Sequence, residues 1–205
     1  TFNAEQIKHI SFLEAQLQIA KQSRAEMFIL PGNHDWYATQ VDSQAQYIQD
    51  YAKENKLSAT FMPYQRNSAP LPQMIYREGI SLVFLDTMWL IKAEHSDFQM
   101  AMLHLKILLE KSHHEFPENT ILLNAHHPIE TMGHHGGYYS KFGYQLYATI
   151  VTYFNKNQQD TDSPKYQRLI KHITSLLAPY KRTIYAAGHD HSLQVFKQQG
   201  NDKTH

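Results

Sequence analysis

Three short apolar runs end in the same kind of loop, and this recurrence constrains the chain more than any other feature. Met27–Leu30, "MFIL", passes into Pro31-Gly32-Asn33-His34-Asp35. Thr120–Ala125, "TILLNA", passes into His126-His127-Pro128. Thr183–Ala187, "TIYAA", passes into Gly188-His189-Asp190-His191. Short apolar runs bounded by turn residues read as buried strands. In open α/β sheets, ligand sites form beyond the carboxyl ends of the strands. If the three strands are parallel neighbours, Asn33, His34, His126, His189 and His191 converge on one rim. Imidazole nitrogens and a neutral amide oxygen suit a divalent or trivalent metal ion. On an extended segment His189 and His191 face the same side, roughly 7 Å apart. That separation lets each of two ions, roughly 3.5–4 Å apart, take one imidazole. Gly32 and Gly188 stand where strand breaks into loop, and are expected to supply positive φ and close backbone approach.

The rest of the chain alternates helical and extended patterns. Asn3 and Gln6 form a capping box, with Phe2 and Ile7 placed as a hydrophobic staple. Ile7, Ile10, Leu13 and Leu17 follow at helical spacing, to about Lys21. A second helix is expected over Ser43–Glu54 behind Asp42 as N-cap. Leu57–Tyr64 and Met74–Arg77 read as strands around a Pro-rich loop, and Gly79 as the turn of a hairpin into Ile80–Leu85. A helix is predicted from about Asp97 to Lys111, with Met100, Leu103, Ile107 and Leu108 as its core stripe. Tyr144–Phe154 and Pro164–Ala178 read as helices joined by a polar linker containing Asp160 and Asp162, and Leu193–Lys197 as a last strand. The fold class is therefore α/β, with mixed sheets flanked by helices. Residues 1–205 are taken as one domain.

Composition removes several function classes. Lysine plus arginine and aspartate plus glutamate are 19 each. With no net charge there is no basic field to neutralise a phosphate backbone, so no nucleic-acid polymer is expected as partner. No apolar run approaches 18 residues, so no membrane-spanning helix is expected. The chain has no cysteine, which excludes disulfides, thiolate catalysis and Cys-type zinc sites. Its 14 histidines are a heavy load, and several stand in pairs.

"GNHD", then "HHP", then "GHDH", in that order and each after an apolar run, closely resemble the motifs of the calcineurin-like metallophosphoesterases. "GNHDW", "FLDT", "AGHDHSLQ" and a histidine nine residues beyond the "HHP" ligand look most like the purple acid phosphatase branch. The resemblance implies a two-sheet sandwich flanked by helices and a binuclear centre of two metal ions, iron with zinc, manganese or iron. It implies that Asn33, His126 and His189 ligate the second metal and His191 the first. His34 would meet the substrate phosphate or protonate the leaving oxygen, with Asp35 orienting its ring. His135, nine positions after His126, would sit near the leaving group, with neighbouring His134 as competitor. The family also carries an Asp-x-His and a Gly-Asp motif that supply the first metal's carboxylates. Neither stands before Met27, so the chain is expected to be N-terminally incomplete, its first strands preceding Thr1. Relatives with these motifs are often exported, which points toward an extracytoplasmic setting.

The implied reaction is hydrolysis of a phosphomonoester on a small phosphorylated substrate, with a metal-bound hydroxide as nucleophile. A phosphodiesterase of the same superfamily is the alternative among enzymes, because the metal motifs do not separate the two. A catalytically inactive binding module that keeps part of the metal site is the alternative outside them. Other histidines have plainer readings. His127 neighbours a ligand but would point to the opposite face of the strand, in a supporting or structural role. His113 and His114 complement a helix C-terminus. Asp86 is either a loop cap or a support behind the ligands. Tyr138 and Tyr139, after Gly136-Gly137, are either a pocket wall over the metals or, as is commoner for loop aromatics, without such a task.

Overall fold

The computed structural model describes residues 4–37, 41–64, 68–133 and 163–197. The Asn3 cap, the helix expected at Tyr144–Phe154, its polar linker, and His134, His135, Tyr138 and Tyr139 lie outside the described residues. The chain opens with helix α1 (Ala4–Ser23), which leads into strand β1 (Met27–Ile29). A five-residue helix α2 (Asn33–Tyr37) and helix α3 (Val41–Asn55) then connect β1 to β2 (Ala59–Phe61). This crossover makes β1 and β2 a parallel pair, in the register Met27 to Ala59 and Ile29 to Phe61. Leu13 and Leu17 of α1 meet Ala45 and Ile48 of α3 and Phe61 of β2 in one buried cluster, so these two positions of the stripe read in α1 face the interior.

The second sheet has four strands in the order β3-β4-β5-β6. Strands β3 (Gln73–Arg77) and β4 (Ile80–Phe84) form the expected hairpin, and Gly79, at φ +76°, takes the turn position that a side chain would strain. Helices α4 (Thr87–Lys92) and α5 (His95–Glu115) carry the chain to β5 (Thr120–Ala125), and α6 (Pro164–Leu177) leads to β6 (Thr183–Ala187). β4, β5 and β6 are mutually parallel and adjacent, so their carboxyl ends lie side by side. The larger core forms where Val83, Leu85 and Leu123 meet Phe98, Leu105 and Leu109 of α5 and Tyr166, Leu169 and Ile173 of α6. Ser163 caps α6 by accepting the Tyr166 N–H, and Pro164 opens its first turn. The architecture is thus mixed α/β, with sheets flanked by helices. Among the described residues no helix is long and apolar enough to cross a membrane.

Several local expectations are corrected. β1 does not share a sheet with β5 and β6; it pairs with β2 in a separate sheet, and the two sheets meet through the Phe28 and Phe84 rings, 4.9 Å apart. The extended stretch Leu57–Tyr64 shrinks to β2, because Pro63 offers no N–H to continue a ladder. Leu193–Lys197 forms no strand; its Leu193 and Val195 are almost fully exposed, and no neighbouring strand pairs with it among the described residues. The stripe on α5 is out of phase. Met100, Leu103 and Ile107 are 46, 59 and 52 % exposed and Leu108 is half-buried, while Phe98, Ala101, Met102, Leu105, Leu109 and Ser112 are buried. Ser112 is accommodated inside by donating its hydroxyl to Ser81 at 2.7 Å.

Candidate metal centre

Each functional side chain stands just past a strand. After β1 the chain breaks at Pro31-Gly32, and the Asp35 carboxylate accepts the Gly32 N–H at 2.7 Å. This closes the turn and places Asn33, nearly fully buried, at the rim of the larger sheet. After β5, the His126 carbonyl accepts the Gly188 N–H at 3.1 Å, extending the β5–β6 ladder one step beyond Ala125 and Ala187. That added rung holds the "HHP" and "GHDH" segments side by side. His189 and His191 themselves occupy the left-handed region, with φ of 69° and 48°. Glycine is not what turns this chain: Gly188 has no positive φ and room beside it, with His126 atoms 3.9 Å from where a Cβ would stand. Gly32 does serve close approach, since a Cβ there would lie 2.9 Å from Cε1 of His126.

Three of the expected ligands meet. Nε2 of His126 lies 2.8 Å from Oδ1 of Asn33 and 3.2 Å from Nδ1 of His189. Ligand bonds of ~2.0–2.2 Å at tetrahedral or octahedral angles put neighbouring donor atoms roughly 2.8–3.6 Å apart. The two observed separations fall in that range, so His126 stands at ligand-to-ligand spacing from both the Asn33 amide oxygen and the His189 imidazole. The donor set fits a borderline divalent or trivalent cation. His34 is exposed on α2, next to Asn33, and His191 is exposed and stands outside the cluster of metal-capable side chains found among the described residues. That cluster is His126, His127 and His189, whose potential ligand atoms all lie within 4.8 Å of one another.

His127 is the residue sequence reasoning misplaced. Strand alternation sends it to the far face, yet its ring lies 4.9 Å from the His126 ring and 4.5 Å from the His189 ring, centroid to centroid. The chain bends after Ala125, so the period of two no longer applies. Thr87, in the "FLDT" stretch, backs it: its Oγ1 lies 2.8 Å from His127 Nδ1 and accepts the His127 N–H at 3.1 Å. The doubled histidine and the threonine after an apolar run were the available signals.

Asp86 is the cap that one of its readings foresaw. It accepts the Trp89 N–H at 2.9 Å at the start of α4, and the indole N–H of Trp36 at 2.9 and 3.1 Å to its two oxygens. This ties α2 to the larger sheet. Burial pushes its carboxyl up to about 7, against the opposing pull of the Trp89, Trp36 and Met88 donors and with a smaller upward push from the charge of Asp35. The loop after Pro128 is tied back to the "GHDH" turn as well. Thr131 donates its hydroxyl to the Asp190 carboxylate, and Gln194 accepts the Met132 N–H at 2.7 Å.

A sequence profile of the calcineurin-like phosphoesterases matches residues 7–193 of the chain. That span covers most of its length, and the chain belongs to this family. Neither a curated protein nor a solved structure matches it significantly. The family places the chain among metal-dependent hydrolases of phosphoesters, and the histidine cluster at the strand ends is where its metal chemistry would be housed.

Proposed function

We propose that the chain is a phosphomonoesterase of the acid-phosphatase kind, nearest within its family to the purple acid phosphatases, acting on a small phosphorylated substrate, and that residues 1–205 form a single domain of this type. The observation that carries the reading is the meeting of Asn33, His126 and His189, delivered by three different strand ends, with His126 at a donor-to-donor distance a cation requires from each of the other two. In this reading Asn33, His126 and His189 hold one ion of a pair and His191 belongs to the other, the ions being iron with zinc, manganese or iron. Two such cations, when bound, neutralise the phosphoryl oxygens and lower the pKa of water from ~16 toward ~7.

The chain's own groups do the rest. Water adds to phosphorus as the ester P–O bond breaks, and the departing alkoxide needs a proton. His34 is exposed beside the buried Asn33, and in this reading it meets the arriving substrate. It either holds a phosphate oxygen or gives that proton, and His135 is the second donor of the pair. Asp35 fixes the turn that carries His34 by accepting the Gly32 N–H. A placed general acid contributes ~10²–10⁴ in rate. The absence of cysteine accords with direct attack by water and no thiolate intermediate.

Hydrolysis of p-nitrophenyl phosphate and of its bis-ester by the metal-loaded chain tests the reading. The monoester is expected to be the better substrate by at least ~10-fold in kcat/KM, a difference of about 1.4 kcal/mol in transition-state stabilisation. A preference for the bis-ester would make the protein a diesterase, and turnover of neither would leave a binding module.

A further inference from the structure

His127 stands at the centre of the cluster yet is held from behind. Its ring is fully buried, perpendicular to the ring of His126 and edge-on to that of Tyr166, 5.5 Å away. The peptide around it is pinned from three elements. Thr87 of α4 accepts its N–H, Tyr185 of β6 donates to its carbonyl at 2.8 Å, and Tyr166 of α6 donates to the next carbonyl, that of Pro128, at 2.6 Å. The Thr87 hydroxyl is fully buried and has one proton to place. One of its lone pairs already takes the His127 N–H, and the hydrogen-bonding atom that faces it besides is His127 Nδ1, at 2.8 Å. A hydroxyl that donates to Nδ1 leaves the neutral ring's own proton on Nε2. In that form one ring nitrogen is engaged by a hydrogen bond and the other by a proton, so the ring has no lone pair left for a cation.

We propose that Thr87 and His127 are positioning residues of the metal centre: the Thr87 hydroxyl fixes the His127 ring in its Nε2–H form, and that ring is the wall that holds the imidazoles of His126 and His189 at their ligating angle without ligating itself. The proposal rests on the metal-centre reading and adds two residues to it. Partners that orient ligating imidazoles from behind typically change metal affinity 10–100-fold when removed. The expected effect of losing either residue lies in that range.

The test is zinc titration of the metal-free full chain by calorimetry, together with the long-range ¹H–¹⁵N spectrum of His127 in the zinc-loaded protein. Thr87→Val and His127→Phe are each expected to weaken zinc binding ~10–100-fold, and Thr87→Ser, which keeps the hydroxyl, to bind as the unaltered chain does. The spectrum is expected to show the proton on Nε2 and an unprotonated, zinc-free Nδ1. Zinc on a His127 nitrogen would make it a ligand and overturn the proposal, as would wild-type affinity in Thr87→Val or in His127→Phe. Should Thr87→Val not fold, the His127→Phe titration and the spectrum decide between the same two outcomes. An unaltered chain that takes up no zinc would instead overturn the metal-centre reading, and this inference with it.

Discussion

Single residues at this centre differ sharply in what they tolerate, and the differences follow from space and charge. Gly32 and Gly188 look equivalent in sequence, each at a strand end beside a histidine motif. A Cβ at position 32 would press on the His126 ring at 2.9 Å, whereas at 188 it would have 3.9 Å. Gly32→Ala is therefore expected to rotate His126 and lower zinc affinity by roughly 10-fold, with Gly188→Ala close to unchanged; parallel titrations of the two variants check this. Asp86 offers a pH signature. Its folded-state carboxyl is raised to about 7, so the folded state holds a proton that the unfolded chain releases near 4. Its contribution to stability is fully present below about 4 and is lost as pH rises through about 7. Both tryptophans touch this carboxylate, Trp36 through its indole and Trp89 through its backbone. Intrinsic fluorescence is expected to titrate with a midpoint near 7, and Asp86→Asn to abolish that transition and flatten the fall in melting temperature between pH 4 and 7.

At the scale of elements, the strands and their endings were legible because each couples a short apolar run to punctuation by Gly or Pro. The phase of α5 was not. That helix is apolar on more than one face: Met100, Leu103 and Ile107 follow helical spacing as well as Phe98, Ala101, Leu105 and Leu109 do. Which stripe turns inward is settled by contact with β4, β5 and α6, a tertiary fact that periodicity does not contain. Leu105→Ala is expected to cost ~2–5 kcal/mol by cavity formation, and Leu103→Ala less than ~0.5 kcal/mol because its side chain is exposed. Urea denaturation of the two variants separates them. The same reasoning explains why Leu193–Lys197 misled: Leu193 and Val195 alternate about Gln194 as in a strand, but a strand also needs a neighbouring edge. His127 failed for a third reason. Alternation along β5 is reliable only while the chain is extended, and the bend begins one residue before it.

Across the whole molecule, the centre draws its donors from two sheets, the two-sheet arrangement that the resemblance implied. Asn33 arrives from the β1–β2 unit, and His126 and His189 from the four-stranded sheet. The two units also meet through Phe28 with Phe84 and through Trp36 with Asp86. Membership of the calcineurin-like phosphoesterases was legible from three ordered motifs, because metal chemistry demands particular donors at particular places. The arrangement of those donors across separate sheets was not, since motifs record order along the chain and not which edges pair.

His126 lies against both other donors, 2.8 Å from Asn33 and 3.2 Å from His189. The most direct measurement is the metal content of purified His126→Ala against the unaltered chain, taken alongside hydrolysis of p-nitrophenyl phosphate. Loss of the ion held by Asn33, His126 and His189, with turnover falling by at least ~10³, is the predicted result. Full metal retention and undiminished turnover in His126→Ala would contradict it.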